Sequence, residues 1–324
     1  MWPSGPLSAA CCEYPVNTHR YRRTLDRAQL DAVLRLSTVD SNSVREYHEL
    51  TEASYNTVYR LKLADGSGLV LKVAPDPAAP GLAHEHDLIR TEAMFYRATK
   101  GRIPVPEVVY ADGEYLLMTD CPGENWVGRR VAERDPLRRQ LGQIVATLHQ
   151  TTGTTFGYPQ NPPKKTWREA FTGMIDDVLD DAERYAAPLP VNEIRQTMHR
   201  RADLLDAVHT PTLVHFDLWD GNILLDDGKI TGLVDGERAF WGDPMAELAS
   251  LSIFGDIEED HAFLEGYGGI GFDADTRRRL AMYRAYLFMI MIVETVPRGY
   301  EGERHERIMS RTGKLLTAQL AKLS

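Results

Sequence analysis

Along residues 24–36, TLDRAQLDAVLRL, the apolar positions Leu25, Leu30, Val33, Leu34 and Leu36 share one broad helical face, and Thr24 or Asp26 can cap its free N–H groups. From about Val44 the period changes. The stretch NTVYRLKLADGSGLVLKVA alternates in two runs separated by ADGSG, which predicts a β-hairpin. AHEHDLIRTEAMFYRAT then predicts a helix of about 17 residues, and PVPEVVYADGEYLLMTDCPG two further strands around Asp-Gly. Beyond Gly123 helical spacing dominates: Leu137, Leu141, Ile144, Val145 and Leu148 form one stripe, and Trp167, Phe171, Met174, Ile175, Val178 and Leu179 another. Inside this helical half NILLDDGKITGLVD reads as one strand-turn-strand pair, and helical patterns resume near Met245.

These elements divide the chain into a lead-in and helix (1–43), a small sheet carrying one helix (44–120), and a larger, mainly helical part (121–324). The fold class is α+β with two lobes. With 324 residues the chain can bury a substantial core. The 37 Lys and Arg against 47 Asp and Glu give a net charge of −10, so no broad positive field exists for a nucleic-acid backbone. A local cationic pocket remains possible, because one Lys and a metal can reverse the potential at a single site. The three cysteines, Cys11, Cys12 and Cys121, have neither metal-ligand nor redox spacing, which fits a reducing, cytoplasmic setting. The apolar run YLFMIMIV from Tyr286 is too short to span a bilayer and is expected to be a buried helix, and the first fifteen residues lack the basic and apolar regions of a signal peptide.

The chemistry concentrates in LVHFDLWDGNILL from Leu213. Asp217 and Asn222 stand five apart, and Asp235 follows thirteen residues after Asn222, across the strand-turn-strand unit. Phosphoryl transfer needs an acid that orients the acceptor hydroxyl, and hard oxygen ligands that hold Mg²⁺ against the phosphates of a nucleotide. Asp217, Asn222 and Asp235 have that order and spacing. His215 is the motif's first polar residue, with a structural role favoured over proton transfer.

HFDLWDGN resembles the central signature of the aminoglycoside phosphotransferase-like enzymes, the family that includes choline, fructosamine and homoserine kinases and shares the two-lobed fold of protein kinases. GDPMAELA from Gly242 is similar to the family's GDP…DLA element, with Glu247 where Asp is common. The resemblance covers about residues 50 to 295. It implies ATP and Mg²⁺, with Asp217 as the catalytic base, Asn222 and Asp235 on the metal, Lys72 on the α- and β-phosphates, and Glu92 as its ion-pair partner. Glu85 competes for that last role. It further implies a nucleotide-covering turn at Ser54, Asn56 and Thr57, which match only loosely, and an adenine-binding linker made by the backbone of Thr119, Asp120 and Cys121. Protein kinases carry Phe and Gly after the second metal Asp; here Gly236 and Glu237 follow, leaving a space to be filled by substrate or by Trp241, with Glu237 a candidate for the acceptor site.

The expected activity is transfer of the γ-phosphoryl group of ATP to a hydroxyl of a small molecule, with an antibiotic or amino sugar the acceptor that the family's membership favours. The acidic run DDVLDDAE from Asp176 reads first as a solvated helix face and, second, as a collector of an amine-bearing acceptor. The alternative is a nucleotide- or small-molecule-binding protein on a kinase-like scaffold without turnover. Neither a nucleic acid nor a membrane is an expected partner, and the pattern leaves the oligomeric state open.

Overall fold

The computed structural model describes residues 21–51, 55–127, 134–253 and 255–324. Ser54, Cys11 and Cys12 lie outside them. Helix α1 (Arg27–Leu36) begins at Asp26, whose carboxylate accepts the Gln29 N–H while the Gln29 side chain returns to the Asp26 N–H, a reciprocal cap. Strands β1 (Val44–Glu49), β2 (Thr57–Leu63) and β3 (Gly68–Val73) follow, then α2 (Leu88–Thr99), β4 (Val108–Ala111) and β5 (Tyr115–Thr119). The five strands form one antiparallel sheet in the order β1-β2-β3-β5-β4.

Strand alternation gives this sheet two buried faces. Tyr59, Leu61, Leu69, Leu71, Val73 and Leu117 pack beneath Leu30, Val33 and Leu34 of α1, while Leu116 and Met118 join Phe95 and Tyr96 of α2 in the main core. Lys72, between Leu71 and Val73, therefore points to the α2 side. Helix α2 is shorter than its periodicity suggests. It spans 12 residues because Asp87 adopts a left-handed backbone (φ 51°), so Glu85 precedes the helix instead of riding on it.

The larger lobe contains β6 (Glu124–Asn125), α3 (Arg134–Leu148), α4 (Trp167–Arg184), α5 (Val191–Arg200), β7 (Thr212–Val214), β8 (Ile223–Asp226), β9 (Lys229–Leu233), β10 (Phe240–Gly242), α6 (Glu247–Leu251), α7 (His261–Tyr267), α8 (Ala274–Val293) and α9 (Glu303–Ala321). Sheet β6-β8-β9 contains the expected pair; β7 and β10 form a second, two-stranded sheet absent from the sequence reading. Three residues of TLV are too few to show alternation. Helices α3 and α7 cross at two glycines. A Cβ on Gly142 would lie 2.2 Å from the Phe263 carbonyl oxygen, and one on Gly266 2.0 Å from that of Arg139, so only glycine allows this approach. Helix α8 is buried along most of its length, as YLFMIMIV suggests, and no helix of the described residues is long and apolar enough to cross a membrane.

Candidate active site between the lobes

Lys72 reaches from β3 to two acids. Its Nζ lies 2.7 and 2.9 Å from the Glu92 carboxylate oxygens and also contacts Asp235 Oδ1. Glu92 is fully buried and Lys72 nearly so. Burial disfavours the Lys72 ammonium, but Asp235 and Glu92 outweigh it and hold its pKa above the ordinary lysine value. For Asp235 burial acts upward, and Lys72 more than reverses it, leaving the carboxylate below its usual range. Glu85, the competitor, is occupied elsewhere: it pairs with Arg298 at 2.5 Å and accepts the Leu82 N–H. Tyr96, one helical turn after Glu92, completes the cluster. Its hydroxyl donates to Glu92 Oε1 at 2.5 Å and accepts the Asp235 N–H at 3.0 Å.

The segment 215–222 leaves β7 and is fixed from beneath. Phe216 takes a left-handed backbone (φ 62°), a conformation that costs a non-glycine residue about 1–2 kcal/mol. The buried Glu247 carboxylate compensates by accepting the His215 N–H at 2.7 Å and the Phe216 N–H at 2.9 Å. Glu247 thus anchors the loop from α6. His215 is fully buried, its Nε2 2.9 Å from the Val234 carbonyl oxygen and its Nδ1 accepting the Asp217 N–H at 3.2 Å. Both ring nitrogens are committed, and burial lowers the pKa, so His215 braces the loop and does not belong among the proton-transfer candidates.

Asp217 and Asn222 meet directly. Asn222 Nδ2 donates to the Asp217 carbonyl at 2.8 Å and to Asp217 Oδ2 at 3.1 Å, which leaves the amide Oδ1 as the atom available to a cation. Burial pushes the Asp217 carboxyl up to about 7, opposed by Arg238. Asp235, in a left-handed conformation (φ 60°), keeps its side chain partly exposed. One amide and one carboxylate oxygen suit Mg²⁺, which takes much of its coordination from water and phosphate. Among the described residues no group of three or more His, Cys, Asp and Glu is arranged to hold a metal.

Other expected positions sit as follows. A Cβ on Gly236 would fall 2.6 Å from Phe95 Cδ1, so the space after Asp235 is filled by α2, neither by substrate nor by Trp241. Glu237 accepts a 2.8 Å hydrogen bond from Asn56 Nδ2, a link between lobes that the sequence did not reveal. Thr57 is wholly enclosed, and its side chain does not face open space. In the linker, the Thr119 N–H bonds to the Glu107 carbonyl and the Asp120 N–H to that of Gly68, so two of the three proposed adenine-facing donors are spent within the sheet. Burial, reinforced by Asp120, pushes the Cys121 thiol up to about 11, and it is no nucleophile at neutral pH.

Sequence reasoning also missed a half-buried chain of alternating charges beside Asp217. Arg238 pairs with Glu294 at 2.8 Å, Glu294 with Arg298 at 3.0 Å, and Arg298 with Glu85, while the Arg298 guanidinium lies 5.1 Å above the Tyr55 ring. The only signal was the i,i+4 pair Glu294 and Arg298 abutting the apolar end of α8. His84, at the start of this network, stacks on Tyr158 with ring centroids 5.2 Å apart and has no partner for either ring nitrogen among the described residues. Burial, opposed by Glu85 and reinforced by Arg238 and Arg298, lowers its pKa from 6.5 to about 4. The unfolded chain binds this proton near 6.5 and the folded chain only near 4, so the stability that the neutral His84 contributes is complete above 6.5 and falls as pH drops through that window, by about 3 kcal/mol in all. Thermal melts of the parent and of His84→Phe between pH 7 and 4.5 check this; the parent should lose more stability on acidification.

The family model for the phosphotransferase enzyme family matches residues 18–283. The chain belongs to that family. It is 25% identical over 228 residues to hygromycin-B 4-O-kinase of Escherichia coli, covering 65% of this chain and 62% of that protein, so it spans just under two thirds of that relative. A probable ketoamine kinase of Enterococcus faecium is 24% identical over 254 residues, covering 72% of this chain and 84% of that one. The crystal structure of aminoglycoside phosphotransferase APH(4)-Ia shares the fold with a TM-score of 0.65 at 16% identity, over 90% of this chain and 97% of that structure. The two-lobed kinase-like architecture is therefore that of the family.

Proposed function

We propose that this family member transfers the γ-phosphoryl group of ATP to a hydroxyl of a small molecule. The observation that carries the reading is that Lys72 bonds both Glu92 and Asp235, that Asn222 bonds Asp217, and that the Val234 N–H, next to Asp235, bonds the Asn222 carbonyl, which brings the two groups together. Lys72, held by Glu92, would meet the phosphates, and the oxygens of Asn222 and Asp235 would hold Mg²⁺. When bound, Mg²⁺ supplies positive charge against the phosphate oxygens. Asp217, half-buried beside Arg238, orients the acceptor hydroxyl and receives its proton. The pairing Asn222 Nδ2 to Asp217 Oδ2 fixes the carboxylate's rotamer, so the second oxygen is directed without searching. The Asn56–Glu237 bond closes the nucleotide turn over the catalytic lobe. Solved relatives of this fold bind AMP-PNP with hygromycin B, and ATP with streptomycin, which supports nucleotide use here.

For the acceptor we favour an amine-bearing antibiotic or amino sugar. In α4, Asp176 and Asp180 are paired with Arg195, and Asp181 accepts the Ala83 N–H and pairs with Arg184. Asp177 is half-buried and has no ion pair among the described residues; burial and its acidic neighbours raise its pKa, a cost that an ammonium group would remove. The experiment is ATP consumption by the purified chain, with and without Mg²⁺, over aminoglycosides, ketoamines, choline-like amines and neutral sugars. Mg²⁺-dependent transfer to an amine-bearing acceptor is expected; ATP binding with no transfer to any of them would overturn the reading in favour of a binding protein.

A further inference from the structure

A second candidate site lies on a different face of the larger lobe. A cavity of about 380 Å³, of a size that small ligands occupy, is bordered by one row of α8, by the end of α9 and by the turn at residues 256–258. The α8 positions are 274, 277, 278, 280, 281 and 284, spaced along one helix face, and Gln319 and Lys322 are three apart on and just after α9. Arg284 stands ten residues before Glu294, about 15 Å along the helix axis, so this groove is separate from the Asp217 cleft.

Its charges are unevenly satisfied. Arg277 is fastened to Glu258 at 2.6 and 2.9 Å, and Arg278 to Asp275 at 2.8 Å. Asp256 accepts the Glu258 N–H at 3.0 Å. Two cations have no such carboxylate. Lys322 is exposed at the rim and has no ion pair among the described residues. Arg284 is only 8% exposed, yet among the described residues its Nη2 meets uncharged oxygens alone, Ser252 Oγ at 2.7 Å and the Gly255 carbonyl at 3.4 Å, and its Nε has no partner. Gln319, 6% exposed, likewise has an enclosed Oε1 without a donor among the described residues. A buried guanidinium without a bonded anion is costly, and Ala274 and Ala281 leave apolar room beside it.

We propose that this groove binds a small molecule that joins an oxyanion to an apolar body, the oxyanion seated between Arg284 and Lys322 and the body lying on Ala274 and Ala281. Burial lowers the Arg284 pKa, with Asp256 and Glu258 opposing at longer range, so a bonded anion strengthens the charged form. The inference does not depend on the phosphotransfer reading. Phenyl phosphate and benzoate are the probes, and together they separate phosphate from carboxylate preference. Crystals of the whole chain soaked in each should show the probe in the groove. Calorimetric affinity should fall about tenfold or more in Arg284→Met, since hydrogen bonds to charged groups are worth about 1.5–3 kcal/mol, and roughly threefold in Lys322→Ala, an exposed charge. Should Arg284→Met fail to fold, the surface variant Lys322→Ala and the soaks decide. Density only beside Lys72, water alone in the groove, or equal affinity in the parent and the folded variants would overturn the proposal.

Discussion

Asp217→Asn is expected to lower kcat by about 10²-fold or more while leaving ATP-analogue binding close to that of the parent. A positioned base contributes roughly 10² to 10⁴ in rate, and asparagine retains the acceptor oxygen for Asn222 Nδ2 but not the capacity to take a proton. The fold should not suffer. The Asp217 carboxyl is raised from 3.8 to about 7 by burial, opposed by Arg238, so its contribution to stability is complete only below 3.8 and is lost as pH rises through about 7. Above neutrality the ionised group is a burden that the amide removes, and the variant should melt at the parent's temperature or higher. Loss of activity together with unchanged or improved melting is the signature of a functional carboxylate held at a stability cost. Steady-state kinetics with the acceptor from the panel, a nucleotide titration and a thermal melt test this; turnover within twofold of the parent would remove Asp217 from the reaction.

Glu247→Ala is expected to damage both stability and rate, by about 3–5 kcal/mol in stability. The side chain is fully buried and its two oxygens hold two consecutive backbone N–H groups, both of which would be left buried without acceptors. Phe216 at φ 62° is a strained residue that persists only while its surroundings over-determine it. Without the carboxylate the backbone can relax to negative φ, and Asp217 moves with it. Glu247→Gln retains one acceptor oxygen and should fall between. Denaturant unfolding of the three proteins checks the order, and a Glu247→Ala variant as stable as the parent would contradict the anchoring role.

The motif residues were legible because they lie within one short-range unit. Asp217 to Asn222 spans a single turn, and Asp235 follows across one β-hairpin, so local geometry alone brings these three together. Lys72 was legible for a similar reason: β-strand alternation sets it opposite Leu71 and Val73. The choice between Glu92 and Glu85 was not, because it turns on where α2 starts, and the left-handed Asp87 that starts it carries no apolar signal. His215 shares the motif with Asp217 yet points inward, a difference of rotamer and backbone that no spacing encodes. Gly236 looked like free space in one dimension and is in fact the surface against which Phe95 packs.

By itself the sequence determined the periodic elements, the α+β class, and the local cassette in which Asp217, Asn222 and Asp235 stand at fixed intervals, since helix and strand periods and tight turns act over a few residues. Only the tertiary structure decided which acid meets Lys72, that Asn56 ties to Glu237, and that Arg238, Glu294, Arg298 and Glu85 form one half-buried chain beside Asp217. Apart from Glu294 and Arg298, one helical turn apart, those partners are separated by 20 to more than 200 residues in sequence. Their meeting is fixed by how the two lobes pack, and a buried charge takes whichever opposite charge that packing brings within reach.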